Sequence, residues 1–170
     1  IISTNKAKMR AAFENANVNS PKSICIENSN VLDVSKFNYP LIVKPTDRSG
    51  SRGVSKVYNT SELKNAVERS LQESLEKKVV IEEFIEGVEV SVESISWQGK
   101  HHIITITDKV TTGEPYFVEL EHHQPSMLAS EIQDEIKRET IKALNALEIQ
   151  FGASHSEFKI TAEGKVYAIE

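Results

Sequence analysis

The sequence predicts an α+β protein built on antiparallel sheets, and three observations carry that reading. Apolar residues recur at helical spacing in three places, around Met9–Phe13, Leu63–Leu71 and Ile132–Leu144. Between them lie strand-like runs that alternate apolar and polar residues, paired into hairpins at Gly99 and at Thr161-Ala162-Glu163-Gly164. No internal repeat or low-complexity stretch interrupts this mixture of elements.

Taken in order, Ser3-Thr4-Asn5 offers caps for a helix carrying Met9, Ala12, Phe13 and Ala16, and the stretch from Asn17 to Pro21 ends it. Ser23-Ile24-Cys25-Ile26 is short and strand-like. Residues 39–45 form an apolar strand closed by Pro45, followed by a polar loop and a second strand at 54–58. Thr60 is placed to cap a helix with Leu63, Val67, Leu71 and Leu75 on one stripe and Glu62 in its first turn. Val79-Val80-Ile81 is a third strand. Val88, Val90 and Val92 alternate with Glu89, Ser91 and Glu93, then Gly99 turns the chain toward Ile104 and Ile106. A helix of about five turns spans Leu128 to Leu147, and residues 151–160 and 165–170 form the last hairpin.

Composition narrows the function. Of 170 residues, 39% are hydrophobic and 26% charged, the balance of a globular chain. The formal net charge of −5 argues against nucleic acid or an anionic membrane as the main partner. It still permits a phosphorylated small molecule held by a local basic cluster. Cys25 is the only cysteine, so neither an intramolecular disulfide nor a cysteine-based zinc site can form. It reads as a small core residue. No apolar run reaches the roughly 18 residues of a membrane span and no signal-peptide pattern opens the chain, so a cytoplasmic location is expected. The helical pattern at the very start and the strand-like 166–170 at the end read as a fragment of a longer chain.

Three clusters carry chemistry. Lys44 ends a strand and is followed by Ser49-Gly50-Ser51-Arg52-Gly53. Two glycines let such a loop close over phosphates and present backbone N–H groups, and Arg52 adds a planar donor fork. The order is neither that of a Walker A loop nor that of a dinucleotide fingerprint; taken alone, it is also what a solvated hairpin loop looks like. The second cluster, Glu82-Glu83-Phe84-Ile85-Glu86-Gly87-Val88-Glu89, offers backbone groups to an adenine edge, apolar surface from Phe84 and Ile85, and carboxylates. An acidic turn has the same composition. In the third, a four-residue turn at 161–164 pairs residue 157 with 168 and puts His155, Glu157, Lys159 and Glu170 on one face. Glu157 and Glu170 become diagonal neighbours, roughly 7–8 Å apart at the backbone, able to share a hard cation such as Mg²⁺. His122 and His123, with Glu119, are candidates for contact with an acid substrate. Neighbouring histidines on a strand point apart, which disfavours a two-histidine metal site.

The order of these clusters resembles the ATP-grasp superfamily, from about Asn5 to Glu170. It is closest to its carboxylate–amine ligase branch, given Gly152-Ala153-Ser154-His155-Ser156-Glu157 before the last hairpin. Phosphoribosylglycinamide synthetase, the carbamoyl phosphate synthase large chain and biotin carboxylase are similar. The resemblance implies the ATP-grasp fold, two α/β lobes with antiparallel sheets holding ATP between them. An opening helix and linker would span 1–37, the small lobe with the glycine-rich loop 38–95, and part of the larger lobe with the metal-binding hairpin 96–170. Lys6 and Lys44 then match phosphate-contacting lysines, Lys44 and Arg52 being the catalytic pair, and Ser49, Gly50, Ser51, Arg52, Gly53 and Val54 match the mobile loop. Glu82 matches the acid at the adenine amine, the Glu83 carbonyl and Ile85 N–H the backbone pair beside Phe84, and Glu89 the ribose acceptor. Glu157 and Glu170 match the magnesium acids, a site that Mn²⁺ can also fill. Glu119, His122, His123, His155 and Lys159 are not among these matches and stay candidates for substrate contact on their positions alone. The implied activity is phosphorylation of a small-molecule carboxylate by ATP for attack by an amine, with ADP and phosphate released. No nucleic-acid or membrane partner is implied, and a homodimer of the full-length enzyme is compatible. A non-catalytic ATP-binding module and a bicarbonate-activating subunit remain as alternatives.

Overall fold

The computed structural model describes residues 2–27, 33–113 and 119–170. They form two compact units, one of Ile1–Arg10 with Pro21–Phe84, the other of Ala11–Ser20 with Ile85–Glu170. Helix α1 (Lys6–Asn15) supplies residues to both. It opens as the sequence predicts, with the Asn5 side-chain carbonyl accepting from the Lys8 N–H at 3.1 Å.

In the first unit, β1 (Ser23–Ile26), β2 (Leu41–Pro45), β3 (Ser55–Val57) and β4 (Val79–Glu83) form one sheet in the order β1-β4-β2-β3, with every pairing antiparallel. Helix α2 (Thr60–Glu73) lays Leu63, Ala66 and Val67 against Leu41, Val43, Val57, Val79 and Ile81. Burial of these branched side chains drives the packing. The cap of α2 is Asn59 rather than Thr60. Its side chain accepts from the Glu62 N–H, and a short carboxamide reaches that donor while the helix gains one residue. Leu75 falls beyond the helix and is exposed. Cys25 is exposed too, because Ile24 and Ile26 take the core-facing side of β1 and strand alternation turns Cys25 away.

In the second unit, β5 (Val88–Trp97), β6 (Lys100–Thr111), β7 (Glu119–His123), β8 (Phe151–Ile160) and β9 (Val166–Ala168) are ordered β7-β6-β5-β8-β9. Helix α3 (Ser130–Ala146) packs on β9 and β6, burying Ile136, Ala143 and Leu144. Two ladders include irregularities, at Glu93/Ser94 and at Val110/Thr111. The units divide between Phe84 and Ile85, whereas the sequence places a lobe junction at 95/96. Strand β5 runs on to Trp97 with both of its partners, β6 and β8, in the second unit.

The last hairpin is one residue out of the predicted register. Phe158 pairs with Ala168 and Ile160 with Val166, because the turn takes in Lys165: the Thr161 N–H donates to the Lys165 carbonyl at 3.0 Å. Ser156, Phe158, Ile160, Val166 and Ala168 are therefore the buried set, and His155, Glu157 and Lys159 share the other face. At the end of the ladder two residues oppose one. The Glu157 carbonyl accepts from the Ile169 and Glu170 N–H groups at 2.8 and 3.3 Å, and the Glu157 N–H donates to the Glu170 carbonyl at 2.6 Å. This bulge ends the simple alternation at Glu170.

Gly87 shows how tightly β5 starts. A Cβ there would lie 2.1 Å from the Ile160 carbonyl oxygen, inside any contact distance and against backbone that cannot rotate away. Gly87→Ala is expected to cost about 2–3 kcal/mol through this overpacking. Urea denaturation should show the loss, whereas wild-type stability in the variant would mean that the strands separate there without cost. Among the described residues, no helix is long and apolar enough to cross a membrane.

Candidate nucleotide and metal site

The first unit gathers cations around the end of β2. Lys44, the fourth residue of that strand, is buried and reaches Glu82 Oε2 at 2.9 Å. Arg10, from α1, grips the same carboxylate with two donors, Nε to Oε1 at 2.6 Å and an η-nitrogen to Oε2 at 3.2 Å. All three side chains are almost fully buried. Burial alone would raise the Glu82 pKa, but the charges of Arg10 and then Lys44 outweigh it and hold the group at about 2. Glu82 is ionised at any physiological pH.

The loop after β2 is tied to the start of α1. The Lys6 N–H donates to the Thr46 carbonyl and the Lys6 Nζ to the Arg48 carbonyl, both at 2.8 Å. Gly50 and Gly53 have φ of 65° and 73°, the left-handed region that favours glycine. At Gly53 a side chain would also meet Pro45 Cγ at 2.8 Å. The Val54 N–H closes on the Ser51 carbonyl at 3.2 Å and Arg52 Nε on the Ser49 carbonyl at 3.3 Å, so residues 49–54 form a self-bonded turn. Glu83 and Phe84 end the unit. The Phe84 N–H donates to the Pro40 carbonyl at 3.2 Å, and Lys56 Nζ lies 3.6 Å from the centre of the Phe84 ring, a cation–π contact.

The second unit gathers carboxylates around one lysine. Lys109 Nζ lies 2.6 Å from Glu119, 2.7 Å from Glu157 and 2.8 Å from Glu89. The pairing of β5 with both β6 and β8 sets this up: Glu89 is opposite Lys109 on one side and Lys159 on the other. Burial works against the charge on Lys109, and the hydrogen bonds to Glu119, Glu157 and Glu89 overcome it, so its pKa rises above the ordinary lysine range. The same contact with Lys109 lowers the Glu119 pKa. Lys159 Nζ lies 3.1 Å from Glu89. His155 bridges Glu93 at 2.6 Å and Glu157 at 3.4 Å. Burial opposes its charge, but Glu93 and then Glu157 prevail and raise its pKa. His122 joins Glu119 at 3.1 Å while His123 turns to Glu121 at 3.3 Å, so the two neighbours part as strand alternation requires.

The structure thus brings Lys6, Lys44, Glu82 and the 49–54 loop into one unit. Glu89, Glu119, His122, His155, Glu157 and Lys159 fall in the other, with Ile85 at its start and Glu170 backbone-paired to Glu157. Nothing in the sequence pattern singled out Arg10 or Lys109. Their signal was a charged residue inside an otherwise apolar-periodic helix and strand. The oxygens of Glu89, Glu119 and Glu157 lie within 4.8 Å of one another. An all-oxygen donor set of this charge suits a hard divalent cation, and here the Lys109 ammonium supplies the positive charge among them.

Residues 37–170 match the ATP-grasp domain. The chain belongs to the ATP-grasp family. It is similar to the D-alanine–D-alanine ligase of Flavobacterium johnsoniae, 29% identical over 143 residues that cover 81% of this chain and 43% of the ligase. The alanine–anticapsin ligase of Bacillus subtilis (strain 168) is 30% identical over 184 residues, covering 91% of this chain and 38% of that protein. In fold it matches the crystal structure of L-amino acid ligase from Bacillus licheniformis, with a TM-score of 0.86 and 31% identity over 98% of this chain and 39% of the ligase. The chain therefore spans less than half the length of each of these relatives.

Proposed function

We propose that the chain is the nucleotide-binding portion of an ATP-dependent carboxylate–amine ligase, which phosphorylates a carboxylate to an acyl phosphate and releases ADP and phosphate after an amine attacks. The buried Arg10–Glu82–Lys44 cluster carries this reading. It places fixed positive charge at the end of β2, directly before a glycine-containing loop, in a family whose relatives here are named as ligases. Those relatives' names point to amino acids as the acid and the amine, and a cytoplasmic enzyme would meet both together with ATP.

In this reading Lys6, Lys44 and Arg52, with the N–H groups of residues 49–54, bind and orient the phosphates, and Lys44 and Arg52 offset charge on the transferring group. Glu82 accepts from the adenine amine, the Glu83 carbonyl and Ile85 N–H read the base edge beside Phe84, and Glu89 accepts from the ribose. Closure of the 49–54 loop excludes water from the acyl phosphate. Glu157 and Glu170 would hold magnesium, which when bound supplies neutralising charge at the phosphate oxygens. Glu119, His122, His123, His155 and Lys159 line the acid substrate's side.

The test is chemical. Full-length protein with ATP, magnesium, a pool of amino acids and hydroxylamine should release ADP in an acid-dependent way and form hydroxamate. AMP as product would overturn the acyl-phosphate route, and acid-independent nucleotide binding without turnover would overturn the ligase reading.

A further inference from the structure

We propose that Arg10 is a positioning residue of the phosphate site: it fixes Glu82 and offsets its charge, so that more of the Lys44 charge is left for a polyphosphate. The inference rests on the nucleotide-binding reading above. Three observations carry it. First, Glu82 lies between two cations, with Arg10 held by both carboxylate oxygens and Lys44 by one. Second, Arg10, Lys44 and Glu82 are all buried, where unit charges interact far more strongly than in water. Third, Lys44 is followed by the loop that Lys6 ties to α1, the same helix that carries Arg10.

Without Arg10, Glu82 would no longer be shared with a second cation and would draw more strongly on Lys44, leaving less of that ammonium's field for a phosphate. With Arg10 present, a second cation shares the same carboxylate. Arg10 also takes Glu82 in a planar, two-point grip that a single ammonium cannot give. This fixes where Lys44 rests against the carboxylate. Whatever else these side chains touch, removing Arg10 lowers the local charge by one, and replacing Glu82 by glutamine raises it by one.

That symmetry supplies the test. In full-length protein, Arg10→Met should weaken ATP and inorganic tripolyphosphate binding on the order of tenfold, the scale of one charge lost from a buried site. The salt dependence of ATP binding should flatten in the same variant. The double variant Arg10→Met/Glu82→Gln should regain the tripolyphosphate affinity, and Arg10→Lys should retain most of it. Thermal melts identify folded variants, and the double variant keeps the test open if Arg10→Met alone does not fold. An Arg10→Met variant that loses ATP affinity with no flattening of the salt dependence would overturn the proposal by showing a merely structural role. So would a double variant that binds tripolyphosphate as weakly as the single one. If wild-type protein binds neither ATP nor tripolyphosphate, the nucleotide reading itself falls; if it binds both and Arg10→Met binds them equally well, only the role of Arg10 does.

Discussion

Glu82→Ala is expected to lower the stability of the first unit by about 3–5 kcal/mol, the cost of stranding buried charges when one partner is removed. Glu82 sits between Arg10 and Lys44 with contacts of 2.6, 3.2 and 2.9 Å, and all three side chains are almost fully buried. The pH dependence gives an independent reading of the same cluster. Glu82 has a folded pKa of about 2 against an ordinary value of 4.5. A carboxylate with a depressed folded pKa contributes stability that is fully present above its unfolded pKa and lost as pH falls through the folded one. The window is therefore pH 4.5 down to about 2. The loss across it is about 3 kcal/mol, from the roughly 1.4 kcal/mol carried by each unit of pKa difference. Urea melts of wild type and variant across that window should show the wild type losing this increment and Glu82→Ala lacking it. An acid slope of the same size in both proteins would assign the loss to other carboxylates.

Much of the fold was legible because burial and periodicity coincide. The stripe of Leu63 and Val67 on α2 and the alternation of Val90 and Val92 on β5 are what the core uses. Strand β7 was not legible: all five of its residues are exposed, so no apolar face marks it, and beyond the backbone ladder its tie to β6 is the ion pair of Glu119 with Lys109. The final hairpin slipped by one residue because turn length decided its register. Lys165 has no chemistry that commits it to a strand rather than a turn, and one added turn residue moves every cross-strand neighbour.

The candidate site divides in the same way. The loop at 49–54 announces itself locally, through glycines where positive φ is required and a lysine at a strand's end. Arg10 and Lys109 do not, because their partners are distant in the chain. Arg10 meets Glu82 across 72 positions and Lys109 meets Glu157 across 48. Only the folded sheet shows that three of the acids the sequence singled out, Glu89, Glu119 and Glu157, close on one lysine.

That lysine leads to the second large effect. Lys109→Met should destabilise the second unit by about 2–3 kcal/mol and give it a magnesium dependence that the wild type lacks. The ammonium is nearly fully buried and lies within 2.8 Å of Glu89, Glu119 and Glu157. Removing it leaves three carboxylates whose oxygens sit within 4.8 Å of one another, with Lys159 at Glu89, His155 at Glu157 and His122 at Glu119 as remaining basic neighbours. Breaking a buried ion pair commonly costs about 3–5 kcal/mol; Glu119 is half exposed, and solvent around it should relieve part of the repulsion. Methionine keeps much of the aliphatic length, so the loss reports charge rather than packing. A divalent cation can then take the vacated position, because three carboxylate oxygens suit a hard ion that fills its remaining coordination with water. Thermal melts with and without millimolar magnesium separate the effects. The variant should melt lower than wild type and recover when magnesium is added, with wild type insensitive to the metal in the absence of nucleotide. Binding of this kind stabilises only what it binds in the folded state, so recovery measures occupation of the carboxylate cluster directly. Adding Glu157→Gln to the variant should blunt the recovery by removing one donor charge. A variant that melts like wild type, or one that magnesium does not rescue, would show that the three acids are held apart by the sheet and not by Lys109.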